Sequence, residues 1–236
     1  MIVERLHVTE RMKIVGGLLL LMLMAVLGIV AKTPTLTRVD IRLDEHLVPI
    51  RDAVLTLGAK GATAVAQAEV GAVIAVVVPV GLWLLRRRRD ALITACLMAG
   101  SLAVAFAVKI LLAEHRPPQR LWVIPPDNEE SFPSGHATVA AAVALLLFLL
   151  VRGRLRALVA ILGVLFALGV GFARVYLGVH YPVDVVGGYL VAAGVSLVVV
   201  GIFDIPSIRR GLEDVGTPAS GRHHARRASR TMAERH

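Results

Sequence analysis

The chain has 236 residues, 56% of them hydrophobic, with a mean hydropathy of +0.73. The apolar residues fall in long blocks, which excludes an ordinary soluble domain and points to membrane spans. The formal net charge of +9 invites a nucleic-acid partner. Its distribution argues against one, because the arginines and lysines stand in short groups between the apolar blocks.

Taken in chain order, residues 1–13 form a basic N-terminus carrying Arg5, Arg11 and Lys13. An apolar run follows over 14–31. It is longer than the usual core of a secretory signal of about 7–15 residues, and Ile29 and Val30 make a poor cleavage pattern before Ala31. The run therefore reads as an uncleaved first span. Further spans are expected at 70–85, 91–113, 137–151, 157–172 and 183–203. Gln67 and Glu69 stand at the leading edge of the second. This gives an all-α integral membrane protein, a six-helix bundle over residues 14–205.

Between the first two spans, Ile41, Leu43, Leu47, Ile50, Val54 and Leu57 include helical steps of three, four and seven residues. Part of 32–69 is thus an amphipathic helix, with Asp40 as its N-cap and Gly58 or Gly61 as its stop. Cys96 lies in the third apolar block and reads as a small buried hydrophobe. The loop 114–133 contains five prolines and cannot be regular helix. Its Asp127, Glu129 and Glu130, with Glu114 before them, read as loop charges. Residues 206–236 read as a basic cytoplasmic tail, disordered from Gly211 onward, in which His223 and His224 are solvated.

With six spans, the basic groups at 5–13, 86–89, 152–156 and 209–235 share one side. By the positive-inside rule that side is the cytoplasm, so both termini face inward.

Three polar clusters interrupt the apolar pattern, and all lie on the opposite, outer side. They are Lys109 with Arg116-Pro117, then Pro133-Ser134-Gly135-His136, then Arg174 with His180 and Asp184. Together they supply three fixed cations, two imidazoles, a carboxylate and a Ser-Gly turn. A phosphoryl group spreads its charge over several oxygens and needs that many converging donors. Seven residues separate Lys109 from Arg116, two helical turns, so both are expected on one face of the third span, with Pro117 ending it. Ser134 is a natural N-cap, and the helix start behind it is an anion site. His115 points away from the Lys109–Arg116 face. Arg174 opens a loop to Tyr181, and Pro182 starts the last span with Asp184 in its first turn. The plainer readings are a snorkelling or Glu114-paired Lys109, a Ser134 that only caps, and an Asp184 that only caps. The three clusters together outweigh them.

The patterns K-x6-R-P, P-S-G-H and R-x5-H-x3-D resemble the three-part signature of the type 2 phosphatidic acid phosphatase superfamily. That group contains membrane lipid phosphatases, soluble bacterial acid phosphatases and vanadium haloperoxidases. The likeness covers 109–184, with Ala173 standing where the family usually has serine. It implies that His180 attacks phosphorus, that Asp184 orients His180, and that His136 serves as general acid and then base. Lys109, Arg116, Ser134, Gly135 and Arg174 would hold the phosphate. No metal or cofactor enters this scheme. The resemblance further implies a substrate among lipid phosphates in the cell (inner) membrane. A polyprenyl diphosphate such as undecaprenyl diphosphate stands first, and phosphatidic acid or phosphatidylglycerol phosphate second. Membrane lipids are the expected surroundings, and the sequence leaves the oligomeric state open. The alternatives are a non-catalytic lipid-phosphate binding or transport protein and a vanadate-dependent haloperoxidase relative.

Overall fold

A computed structural model describes residues 2–216, and all regular structure among them is helical. The helices are α1 (Ile2–Ala31), α2 (Pro34–Leu47), α3 (Ala53–Ala64), α4 (Ala68–Leu84) and α5 (Arg88–Leu112). They continue as α6 (Gly135–Leu150), α7 (Leu155–Tyr176), α8 (Pro182–Asp204) and α9 (Pro206–Gly216).

Among the described residues four segments are long and apolar enough to cross a membrane: Thr9–Ala31, Arg88–Leu112, Leu155–Tyr176 and Pro182–Asp204. Helices α3 and α4, bent by 40° at the break between them, make a fifth if read as one span. Helix α6 is apolar, but its 16 residues fall short of the others. All six expected segments are helical, and length and composition alone support four to five as spans. Outward residues such as Val15, Leu18 and Met22 on α1 and Ile161, Leu165 and Leu168 on α7 are exposed. An apolar helix face without a protein partner is the surface that hydrocarbon covers.

Helix α8 is the centre of the bundle and packs against α1, α5 and α6. Its contact with α1 is close because both sides supply glycine. A Cβ on Gly17 would meet the Gly194 carbonyl, and one on Gly194 would meet Leu21. Around α8 gather the buried Met24, Ala105, Phe132, Val191 and Val195.

Several local expectations are corrected. The segment 34–64 forms two helices rather than one. Asp40 lies buried within α2, whose N-cap is Thr33, while Asp52 caps α3 by accepting from the Leu55 N–H at 2.9 Å. Gly58 and Gly61 sit inside α3. Cys96 is exposed on the outer face of α5 rather than buried. The stretch expected to be tail begins with helix α9, and the remainder, with His223 and His224, lies outside the described residues.

The ends of the helices sort by charge. Residues 86–89 share a cavity with Arg152 and Leu212. Nearby, Asp204 accepts from Lys13 at 2.7 Å and from Arg89 at 2.6 Å. The three polar motifs stand at the other ends of the same helices, about 37 Å away along the 25 residues of α5.

Candidate active site

Helix α5 places Lys109 in its last turn, and the helix stops at Leu112 because Ala113 turns left-handed, with φ of 47°. The expected continuation to Pro117 on one helical face is therefore wrong. Arg116 instead lies in an extended segment, next to the bridge that pairs His115 with Glu130. The chain folds back, and Arg116 reaches the site from a different direction than Lys109. The Lys109 ammonium donates to the carbonyls of Glu130 at 2.7 Å and Ser131 at 3.2 Å, rather than pairing with Glu114. It fixes the returning loop where that loop enters the next motif. His115 is exposed, and its place in the bridge replaces the helical position from which it was expected to point away.

Helix α6 opens where expected. Ser134 is its N-cap and accepts from the Ala137 N–H at 3.4 Å. Ser134 itself is fully buried, and its own N–H donates to the Asp184 carbonyl at 2.9 Å. Gly135 and His136 therefore present the first turn of α6 to the cavity, with Ser134 behind them. The amides that open a helix have no intrahelical acceptor, so this turn offers donors to an anion.

The third motif spans two helix ends. Helix α7 continues through Arg174 to Tyr176, so Arg174 stands in a last helical turn rather than opening a loop. The chain then reverses at Gly178, with φ of 72°, a conformation that only glycine adopts at little cost. A side chain there would also strike the Leu121 carbonyl. Pro182 starts α8 as expected, and the Asp184 carboxylate in its first turn accepts from the Tyr181 N–H at 2.8 Å.

His180 occupies the centre. Its Nδ1 lies 3.2 Å from Asp184 Oδ2, and its Nε2 lies 2.9 Å from Arg116 Nη1. The same guanidinium donates to the Val179 carbonyl at 2.6 Å and to Asn128 Oδ1 at 2.6 Å. Asp184 also accepts from the Ser131 hydroxyl. Burial, then the positive charges of Arg116, Arg174 and Lys109, holds the His180 imidazole well below its ordinary range. Burial, aided by Arg174, brings Arg116 down to about 10. It remains a cation at neutral pH.

Two loop residues join the site: Asp127, which reads from sequence as a loop charge, and Ser131, which the sequence does not single out. Asp127 Oδ2 accepts from Arg174 Nη2 at 2.8 Å and lies 3.8 Å from His136 Nδ1. Burial would raise its carboxyl, but the positive charges of Arg174, His136 and Arg116 outweigh that and hold it below its ordinary value. Ser131 is the second, through Asp184. Neither carries a spacing signal, since both depend on how a proline-rich loop crosses the site. Ala173, in place of the family's usual serine, is buried in an apolar cluster with Ala59, Tyr176 and Leu177.

The charged groups open onto a cavity of about 620 Å³ lined by Lys109, Arg116, Asp127, Gly135, His136 and His180. Its other wall is apolar, formed by Ala72 of α4 and Leu102, Ala105 and Phe106 of α5. Gln67 and Glu69 stand at the start of α4 beside it. Among the described residues no group of three or more His, Cys, Asp or Glu side chains is arranged to hold a metal ion.

Residues 90–205 match the PAP2 superfamily, a stretch that contains all three motifs. This segment of the chain belongs to that superfamily. The PAP2 segment is similar to curated phosphatases. An undecaprenyl-diphosphatase of Sulfolobus acidocaldarius is 35% identical over 86 residues, covering 36% of this chain and 40% of that protein. A decaprenylphosphoryl-5-phosphoribose phosphatase of Mycobacterium tuberculosis is 35% identical over 116 residues, covering 48% of this chain and 62% of that protein. The chain thus spans less than two thirds of either relative. The PAP2 fold also extends beyond the matched stretch. A transmembrane PAP2-type phosphatidylglycerolphosphate phosphatase of Bacillus subtilis superimposes with a TM-score of 0.69 at 25% identity. That superposition covers 81% of this chain and 96% of the other.

Proposed function

We propose that this protein is a membrane phosphatase that hydrolyses a phosphomonoester or diphosphate of a lipid through a phosphohistidine intermediate, without a metal ion. The observation that carries the proposal is the His180 ring, tied to a buried carboxylate at one nitrogen and facing a cation at the other. An imidazole so held has its second nitrogen available as a nucleophile. A binding or transport protein would have no use for that arrangement, so the enzyme reading is preferred.

In the first step His180 Nε2 attacks phosphorus, and the bond to the leaving oxygen breaks. His136 gives that oxygen its proton. Lys109, Arg116 and Arg174, with the first-turn amides of α6, neutralise charge on the phosphoryl oxygens as it develops. In the second step water attacks the phosphohistidine, His136 takes the water's proton, and phosphate leaves with His180 restored. Asp184 stabilises the His180 ring while it bears positive charge.

The apolar wall of the cavity supports a lipid substrate, with its chain along α4 and α5 and its phosphate among the cations. Polyprenyl diphosphate is our first choice, supported by the similarity to an undecaprenyl-diphosphatase and a decaprenylphosphoryl-5-phosphoribose phosphatase. Phosphatidic acid and phosphatidylglycerol phosphate follow. We further propose that both termini face the cytoplasm and the site faces outward, on the strength of the arginine groups gathered at the opposite end. Purified protein offered undecaprenyl diphosphate, phosphatidic acid and phosphatidylglycerol phosphate, each with and without EDTA, tests this reading. It predicts phosphate release from at least one lipid, unaffected by the chelator. No release from any, or release that requires Mg²⁺, overturns it.

A further inference from the structure

Asp127 does something in this site that phosphate chemistry does not require. Its carboxylate stands between the cavity and Arg174. The guanidinium is 1% exposed, whereas the Asp127 side chain that covers it is 48% exposed and lines the cavity. The same oxygen that accepts from Arg174 Nη2 at 2.8 Å also faces His136 Nδ1 at 3.8 Å. Arg174 Nε, meanwhile, is buried without a hydrogen-bond partner. An anion is thus already seated on a cation of the phosphate cluster, supplied by the chain's own loop.

We infer that Asp127 is a specificity-determining residue, an internal anion that a substrate must displace from Arg174 and that thereby rejects phosphodiesters. This rests on the proposed phosphatase reading of the site. The physical basis is charge. A carboxylate carries one negative charge, and so does a phosphodiester. Exchanging one for the other at Arg174 gains little electrostatically and exposes Asp127 to repulsion from the incoming anion. A terminal phosphate carries close to two charges at neutral pH, because its second pKa is about 6. A terminal diphosphate carries more. Either draws additional attraction from Lys109, Arg116 and Arg174 and can displace the carboxylate. In a membrane the ordinary phosphodiester lipids are the abundant competitors, so the discrimination has a use. Specificity obtained by placing a repulsive element against the wrong ligand is a general device. Once displaced, the carboxylate is on an exposed loop and can turn to solvent.

The test compares wild type with Asp127→Asn and Asp127→Ala in purified, detergent-solubilised protein. Orthovanadate and inorganic phosphate serve as terminal-phosphate probes, and phosphatidylglycerol as the diester lipid. Binding is read by calorimetry and by competition against hydrolysis of a lipid monophosphate. Removing the charge should tighten vanadate and phosphate binding roughly two- to fivefold, the size expected for one partly exposed charge pair. It should also lower KM and make phosphatidylglycerol a measurable competitor, with no competition expected for wild type. Unchanged phosphate affinity with no new inhibition by the diester overturns the inference. So does weaker binding in both variants, which would make Asp127 a support for Arg174. Melting temperatures of the variants establish that the fold is retained. The calorimetric arm does not depend on turnover. If wild type binds vanadate yet hydrolyses no lipid, the phosphatase reading fails while the displacement of Asp127 can still be measured.

Discussion

Arg116 Nη1 stands 2.9 Å from His180 Nε2, while Asp184 Oδ2 stands 3.2 Å from Nδ1 of the same ring. A guanidinium can only donate, so Nε2 must accept, and the ring proton therefore resides on Nδ1, pointing at Asp184. The two neighbours together select one tautomer. It is the one in which the nitrogen facing the cavity carries a lone pair. In the proposed mechanism Arg116 yields this contact for attack on phosphorus, and a phosphoryl oxygen arriving at the guanidinium offers it a replacement acceptor.

His180→Ala is expected to abolish turnover while the protein folds and inserts. Brief incubation with a labelled substrate followed by denaturation should leave an acid-labile phosphate on wild type and none on the variant. Activity above a trace in the variant, or an adduct at another residue, would show the nucleophile to be misassigned.

Ser131 donates to Asp184 and does not line the cavity, so its effect should pass through His180. Ser131→Ala is expected to lower kcat by about 10–100-fold, the range typical for loss of a hydrogen bond that orients a reacting group. KM should change little, and Ser131→Thr should recover part of the loss. A rise in KM with kcat intact would place Ser131 in substrate binding instead.

The pH profile follows from the cations around His180. In the proposed mechanism its neutral form is the reactive one, and burial together with Arg116, Arg174 and Lys109 lowers its pKa. The neutral imidazole therefore persists below the ordinary value of 6.5. The acid limb of kcat/KM should lie under that value, and it should move upward in Arg116→Gln, measured on residual activity. A limb at 6.5 in wild type, or one indifferent to Arg116, contradicts this electrostatic account.

Orientation can be checked without a substrate. In a Cys96→Ser background, single cysteines at Asn128 and at Ser229, the latter outside the described residues, are exposed to an impermeant thiol reagent on intact cells. Position 128 should label at once and position 229 only after the membrane is broken. The reverse pattern would put the site in the cytoplasm and leave its chemistry untouched.

The sequence by itself determined the six apolar helices and most of the side chains that the structure gathers at the candidate site. Apolar blocks of span length, Ser134 before Gly135 and Pro182 before Asp184 are local signals, because a helix start depends on a few neighbouring residues. The step of four from His180 to Asp184 likewise placed imidazole and carboxylate within reach. Tertiary structure decided what local rules could not. A left-handed Ala113 broke the helix that was to carry Lys109 and Arg116 together. The loop after it takes its course from distant partners, with the Ser131 N–H on the Glu114 carbonyl and the Val123 N–H on the Leu177 carbonyl. Those contacts deliver Ser131 to Asp184, Asn128 to Arg116 and Asp127 to Arg174. A proline-rich loop has no period from which such pairings can be read. Its path is fixed by where its backbone groups find hydrogen-bond partners, one at the loop's own start and one just past the end of α7.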